Sequence, residues 1–252
     1  VGEGCDNKCT YCAIPAIRGK FRSRPIEDLV AEAKELESLG VKELNIIAQD
    51  TSRYGLDIYK EYSLARLVRE ICANTSIPWI RLLYCYPDKI TDELVEEFRT
   101  NDRLVKYIDL PIQHISDTVL KRMNRHGDGE MIRDTISRLR KAVPDIVIRT
   151  TVMVGFPGET AEDVDDTIDV IRKVGFDNAF TFIYSVRTGT PAAAMDQVPE
   201  EEVHAGFDRV LEAVQETARK QVARLQGQTL TALVEEVNEQ DASLVTGRLS
   251  NN

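Results

Sequence analysis

Apolar positions in this chain repeat at two periods that alternate along its length. Between residues 25 and 39, Ile26, Leu29, Val30, Ala33, Leu36 and Leu39 recur at helical spacing. Pro25 suits the first turn of that helix and Gly40 its stop. A short run at 44–48, Leu44-Asn45-Ile46-Ile47-Ala48, follows and has the length of a strand.

The alternation then repeats. A helix over 63–73, carried by Leu64, Leu67, Val68 and Ile71, leads to a strand at 79–83, WIRLL. A helix over 91–99, with Thr91 as its cap, leads to a strand at 105–110, VKYIDL. Two helical stretches, about 116–123 and 129–142, precede IVIRTTVMV at 146–154. A helix over 161–173, opened by Thr160 and Asp163 in capping-box spacing, precedes NAFTFIY at 178–184. A long amphipathic helix over 200–226 then gathers Val203, Phe207, Val210, Leu211, Val214, Val222 and Leu225 on one side. Pro199 and three glutamates favour its start.

Such alternation predicts parallel strands joined by right-handed crossovers. Five strands are visible, and a sixth is expected to precede residue 1 and end in the cysteine loop. The expected fold class is α/β: an incomplete (β/α)6 barrel, with a doubly wound open sheet as the alternative. Residues 229–248 change character, since TLTALVEEV and ASLVTGRL alternate as two strands about a turn at Asn238 to Asp241. They predict the start of a small β module. The expected division is therefore 1–228 for the barrel and 229–252 for an unfinished β domain.

Composition narrows the class. The 252 residues are 42% hydrophobic and 29% charged, enough for a sizeable core without disulfides. No apolar run is long enough to cross a bilayer, and the opening VGEGCDNKC has neither the basic start nor the apolar stretch of a signal peptide. The missing initiator Met suggests a piece of a longer protein. A net charge of −10 suits a basic partner and disfavours nucleic acid. Locally, Lys8, Arg18, Lys20, Arg22 and Arg24 crowd together, and composition leaves them evenly between a solvated loop and a binding surface. Five cysteines, three of them in the first twelve residues, fit a reducing cytoplasm better than a disulfide framework.

In a parallel barrel the chemistry sits where strands end. The polar groups expected there are the cysteine loop, Gln49-Asp50-Thr51, Tyr84-Cys85-Tyr86-Pro87, Gln113-His114, Gly155 to Glu159, and Tyr184-Ser185. Cys5, Cys9 and Cys12 form C-x3-C-x2-C, which lets one loop offer three thiolates to a single centre. A cubane iron–sulfur cluster has four irons; three thiolates leave the fourth iron open to a ligand. The amino and carboxylate groups of S-adenosylmethionine could chelate it, and reduction of the nearby sulfonium would release an adenosyl radical. A structural zinc is the alternative, needing a fourth ligand such as His114 or Cys85. Arg149 and Thr151 share a strand face. The anion that Arg149 needs is either a cofactor carboxylate or Asp109. Gly155-Phe156-Pro157-Gly158-Glu159 permits close backbone approach, but is also an ordinary turn into a capped helix. His126 and His204 read as surface residues, Met123, Met131 and Met153 as core filler, and Cys72 as inert.

The stretch EGCDNKCTYCAIPAIRGKFRSRP resembles the radical S-adenosylmethionine superfamily, and within it the methylthiotransferases. AQDTSRYG at 48–55, LYCYPDKITDEL at 83–94, YIDLPIQHISDTVLKRMNR at 107–125 and RTTVMVGFPGET at 149–160 carry the resemblance across residues 1–228. It implies that the barrel is of the radical SAM type and that Cys5, Cys9 and Cys12 hold a 4Fe-4S cluster that binds S-adenosyl-L-methionine. It implies Tyr11 near the adenine, and Gln49, Arg149, Thr151, Gly155, Phe156, Pro157, Gly158 and Glu159 as cofactor contacts. The last segment would begin a TRAM-like domain. The family also carries an N-terminal domain, lacking here, whose three cysteines hold a second 4Fe-4S cluster. AQD and PIQHIS point to the branch that methylthiolates the β-carbon of an aspartate in ribosomal protein S-twelve. The sister branch, acting on transfer RNA adenosine, shows GQN-like and PVQSGS-like segments instead. The implied enzyme is cytoplasmic and monomeric, touches no membrane, and takes electrons from a donor such as flavodoxin or ferredoxin.

Overall fold

A computed structural model describes residues 1–250 of the chain. Its first elements frame the cysteine loop: β1 (Gly2–Glu3), α1 (Ile14–Arg18) and β2 (Arg22–Ser23), with β1 antiparallel to β2. Then α2 (Ile26–Ser38), β3 (Glu43–Ile46), α3 (Leu64–Asn74), β4 (Trp79–Leu82), α4 (Asp92–Thr100) and β5 (Leu104–Asp109) follow in turn. After these come α5 (Asp117–Arg122), α6 (Gly129–Ala142), β6 (Val147–Val154), α7 (Ala161–Val174), β7 (Asn178–Ile183) and α8 (Glu200–Ala223). The caps expected from sequence are formed. Thr91 accepts from the Leu94 amide at the start of α4, and Thr160 and Asp163 make a full capping box on α7.

Strands β3 to β7 form one parallel sheet in strict chain order. A doubly wound sheet would reverse that order at a switch point, so the open-sheet alternative is set aside. Right-handed crossovers that all advance one way leave every helix on the same side. Burial agrees. Ile80 and Leu82 of β4, Ile108 of β5, and Ile148, Thr150, Val152 and Val154 of β6 are buried in the core under the helices. Leu67, Val68 and Ile71 of α3, Phe98 of α4, Leu139 of α6 and Ile171 of α7 meet them in that core. The alternate residues Arg149, Thr151 and Met153 are only partly buried, and Phe180 and Phe182 of β7 are exposed. The sheet is therefore layered on one side and open on the other. The described residues supply five strands of the parallel sheet, and the sixth, expected before residue 1, is not among them.

The open face is not featureless. Glu43 accepts from Arg81 Nε at 2.6 Å, Arg81 stacks on the Tyr107 ring, and Arg149 stacks on Tyr107 and Phe180. Beyond α8, β8 (Ala232–Val237) and β9 (Val245–Leu249) form the expected antiparallel hairpin. Arg248 of β9 reaches Glu43 and ion-pairs with it, and Arg81 donates to the Ser250 carbonyl. The hairpin thus rests on the end of the sheet opposite the cysteine loop. The basic stretch near the start is largely neutralised: Arg18 and Arg22 pair with Glu3, and Arg24 with Glu32.

Candidate active site

Three adjacent strands leave the sheet through left-handed backbone. Tyr84 after β4, Gln113 after β5 and Gly155 after β6 have φ of 58°, 67° and 77°. Only glycine takes this region without cost, so Tyr84 and Gln113 are strained positions of the kind that gather at functional sites. The Gln113 amide donates to Thr151 O and its carbonyl accepts from Met153 N, which folds this loop back onto β6.

The cysteine loop crosses these strand ends and is pinned from several directions. The Cys5 amide donates to Gly19 O at 3.1 Å. Asp6 accepts from Phe21 N and pairs with Arg53 at 3.0 Å. Asn7 Nδ2 donates to Asp50 Oδ2 at 2.7 Å, and Asp50 also accepts from Ser52 Oγ and pairs with Lys89 at 3.1 Å. Asn7, Asp50, Ser52 and Lys89 are all buried. The end of α5 holds the far side. Asn124 donates to Lys8 O, the Thr10 amide to Met123 O, and Thr10 Oγ1 to Arg122 O. Ala192 N caps Thr10 O from the segment before α8.

Within this frame Cys5 and Cys9 are buried, Cys12 is half-buried, and all three are free thiols. Burial pushes the Cys5 and Cys12 thiols up from their ordinary value, and Cys9 adds to the effect at both. Among the described residues no three His, Cys, Asp or Glu side chains converge on a single metal ion. The two groups weighed as a fourth zinc ligand are committed elsewhere. His114 is locked to Glu159, and Cys85 is fully buried near Asp50 and Asp109. Four of the buried polar atoms without partners belong to residues around this loop: Gln49 Oε1, Arg53 Nε, Arg125 Nη1 and Tyr184 Oη. Three free thiols on one braced loop, with the Arg125 guanidinium stacked on Tyr86 and its Nη1 unpartnered, fit an anionic metal–thiolate group.

The residues expected as cofactor contacts fall into two groups. Tyr11 packs edge-on against Phe156, ring centroids 6.3 Å apart, and Phe156 in turn meets Tyr184 at 5.4 Å. This apolar cluster, with Val119, Met123 and Ala192, joins the cysteine loop to the turn at Gly155 to Glu159. Within the turn, Pro157 O accepts from Arg122, and Gly158 with φ 78° leaves no room for a Cβ beside that guanidinium. Glu159 is occupied on both oxygens. One accepts from the Gly155 amide, the other meets His114 Nε2 at 2.9 Å. Since His114 Nδ1 accepts from Ser116 N, the proton lies on Nε2 and points at Glu159. On the open face, Arg149 pairs with Asp109 at 3.0 Å, and Thr151 lies beside it in the same pleat. Of the two anions weighed for Arg149, Asp109 is the one in contact here.

The sequence pattern did not single out Asn7, Lys89 or Arg125. Asn7 lies in the cysteine loop already placed at a strand end, so its position was a signal, whereas Lys89 falls two residues beyond the cluster Tyr84 to Pro87. Arg125 closes the segment at 107–125, and nothing in its spacing separates it from a surface cation. His126, next to it, is exposed as expected, as is His204.

Residues 1–171 match the family model described as the radical SAM superfamily. A ribosomal protein uS12 methylthiotransferase RimO of Clostridium tetani is 51% identical over 226 residues, 90% of this chain and 48% of that protein. The protein of the same name from Desulforamulus reducens is 46% identical over 251 residues, 99% of this chain and 56% of that protein. This chain thus spans about half the length of these curated relatives. Among solved structures, coproporphyrinogen III oxidase (HemN) from Escherichia coli, a radical SAM enzyme, superposes with a TM-score of 0.62 at 15% identity. That match covers 85% of this chain and 51% of that one. The radical S-adenosylmethionine methyltransferase TsrM from Kitasatospora setae, with cobalamin and a [4Fe-4S] cluster bound, gives 0.61 at 20% identity, over 75% and 37% of the two chains. At these identities the likeness is one of fold.

Proposed function

We propose, from the premise that this chain belongs to the radical SAM superfamily, that it is the catalytic barrel of a methylthiotransferase acting on an aspartate of ribosomal protein uS12. The observation that carries the reading is the loop of Cys5, Cys9 and Cys12, three free thiols braced over the strand ends of a parallel sheet. Cys5, Cys9 and Cys12 would hold a 4Fe-4S cluster. When bound with S-adenosylmethionine, that cluster supplies the electron and the radical needed to attack an unactivated carbon.

The chain's own residues do the rest. Asn7, held by Asp50 and Lys89, and Thr10, held by Arg122 and Met123, fix the backbone on either side of Cys9. Tyr11 and Phe156 wall the apolar side of the loop and exclude water from it. The unpartnered Gln49 Oε1 offers an acceptor to a ribose hydroxyl or an amine. The turn at Gly155 to Glu159, tightened by Glu159 and His114, presents backbone to an adenine. The open face with Thr151, Met153, Phe180 and Phe182 is the side from which a protein loop would approach. The electron comes from a low-potential donor of the flavodoxin or ferredoxin class. Sulfur delivery belongs to a second cluster on the longer protein. The AQD and PIQHIS segments of this chain, together with its identity to relatives named for uS12, support a protein substrate over transfer RNA.

The test is anaerobic loading with iron and sulfide, followed by an assay for 5′-deoxyadenosine. Wild type should bind about four irons and form the product, and Cys9→Ala should lose both. A mass gain on the ribosomal protein, with none on transfer RNA, identifies the substrate in the longer protein. A colourless chain that binds zinc in place of iron would overturn the reading.

A further inference from the structure

Arg125 is the residue directly after the segment that clamps the cysteine loop. Its guanidinium stacks on the Tyr86 ring at 4.2 Å, and Lys89 lies over the same ring at 4.6 Å. The two cations differ in how their charge is met. Lys89 is paired with Asp50 and with Asp88, both at 3.1 Å. Arg125 donates from Nη2 to the Pro111 carbonyl at 2.6 Å, and its Nη1 is buried with no partner. No carboxylate among the described residues lies within ion-pair distance of it. The loop beside it is the one that carries Cys9, since Asn124 holds Lys8, and Met123 and Arg122 hold Thr10, on the two sides of that thiol.

A guanidinium whose Nη1 is buried without a partner, and which has no anion beside it, is a costly arrangement. Such a charge persists where an anion completes the site. The segment that leads into Arg125 grips the cysteine loop on both sides of Cys9, so a group bound by that loop would bring the anion to it. We infer that Arg125 is the counter-charge of the cysteine loop, its unpaired guanidinium placed to balance the negative charge that Cys9 and its companion thiolates bring to a bound cluster. This rests on the function proposed above. A fixed positive charge beside a redox centre stabilises the more negative, reduced state, so Arg125 holds the reduction potential up.

The test loads wild type, Arg125→Gln and Arg125→Lys with iron and sulfide, without S-adenosylmethionine. Each is then titrated with a chemical reductant in the presence of redox mediators and followed by electron paramagnetic resonance. Arg125→Gln is expected to lower the ratio of reduced to oxidised cluster at a fixed potential by about tenfold, about 59 mV for one electron. Arg125→Lys keeps the charge, loses the planar stack, and should titrate with wild type. If Arg125→Gln loses iron while Arg125→Lys retains it, the charge is what holds the cluster, and the inference stands. If all three titrate together, or both variants lose iron alike with unchanged circular dichroism, the guanidinium acts by shape and the inference falls. Failure of wild type to take up iron would instead remove the functional reading beneath it.

Discussion

Asn7 and Asp50 are both buried, and the 2.7 Å bond from Asn7 Nδ2 to Asp50 Oδ2 ties the cysteine loop to the loop after β3. Asp50 also carries Ser52 and Lys89, so its removal leaves the buried Asn7 amide without its acceptor and the buried Lys89 ammonium with Asp88 as its counter-ion. Asp50→Ala is expected to cost about 3–5 kcal/mol, the range for breaking one side of a buried pair, read from the denaturant midpoint. Iron retention should fall in parallel. A variant that unfolds with wild type would show that the loop is held by its other contacts.

Arg149 and Asp109 form a second pair, with two contacts of 3.0 and 3.1 Å. Asp109 is almost fully buried, so Arg149→Ala should destabilise by about 3 kcal/mol and Asp109→Asn by less. Their combination should restore part of the loss, because neither charge is then left alone. A double-mutant cycle in thermal unfolding measures the coupling. Strictly additive losses would contradict the pairing, and would return Arg149 to the role of an anion receptor.

Gly4 precedes the first cysteine at φ 81°, and a Cβ there would lie 2.2 Å from the Lys20 carbonyl. Backbone cannot yield as a side chain can, so Gly4→Ala should cost at least 2–3 kcal/mol through strain and clash. Gly40 provides the control. Its φ is 84°, yet nothing lies within 4 Å of a Cβ, so Gly40→Ala should cost only about 1 kcal/mol. Equal effects in a melting comparison would contradict the close approach at Gly4.

Glu43 links the hairpin β8–β9 to the sheet. Burial alone would raise its carboxyl, but hydrogen bonds from Arg248 and Arg81 more than offset this and hold it below the usual carboxylate range. A lowered folded value means the contribution is fully present above the unfolded value, about 4.3. It is lost as pH falls through the folded value. Residues 230–250 are therefore expected to gain hydrogen exchange below about pH 4, before the barrel does. Glu43→Gln should show the same loosening at neutral pH. Unchanged protection from pH 7 to pH 3 would refute the link.

The parallel order of β3 to β7 was legible because each strand is an apolar run and each crossover carries a helical stripe, two local signals. The caps at Thr91 and Thr160 were legible for the same reason. The C-x3-C-x2-C spacing placed three thiols on one loop without any knowledge of the fold. The network beneath that loop was not readable. Asn7 meets Asp50 across 43 positions, and His114 meets Glu159 across 45. Such pairs exist only once the strands are side by side. Arg149 shows the limit from the other direction: its strand face was foreseen, but the choice between Asp109 and a cofactor depends on a distance. The two-residue antiparallel pair β1–β2 is too short for any periodicity to reveal.

Residues 122–125 serve two ends at once. Arg122, Met123 and Asn124 grip the loop mostly through main-chain carbonyls, and Arg125 delivers a charge beneath it. Grip and charge therefore share one ruler, the end of α5. Side chains at 121 or 126 are free to drift over evolutionary time, whereas adding or deleting a single residue there would move both functions together. Descendants of this chain should hold the length of that segment constant and keep the side chains of Asn124 and Arg125.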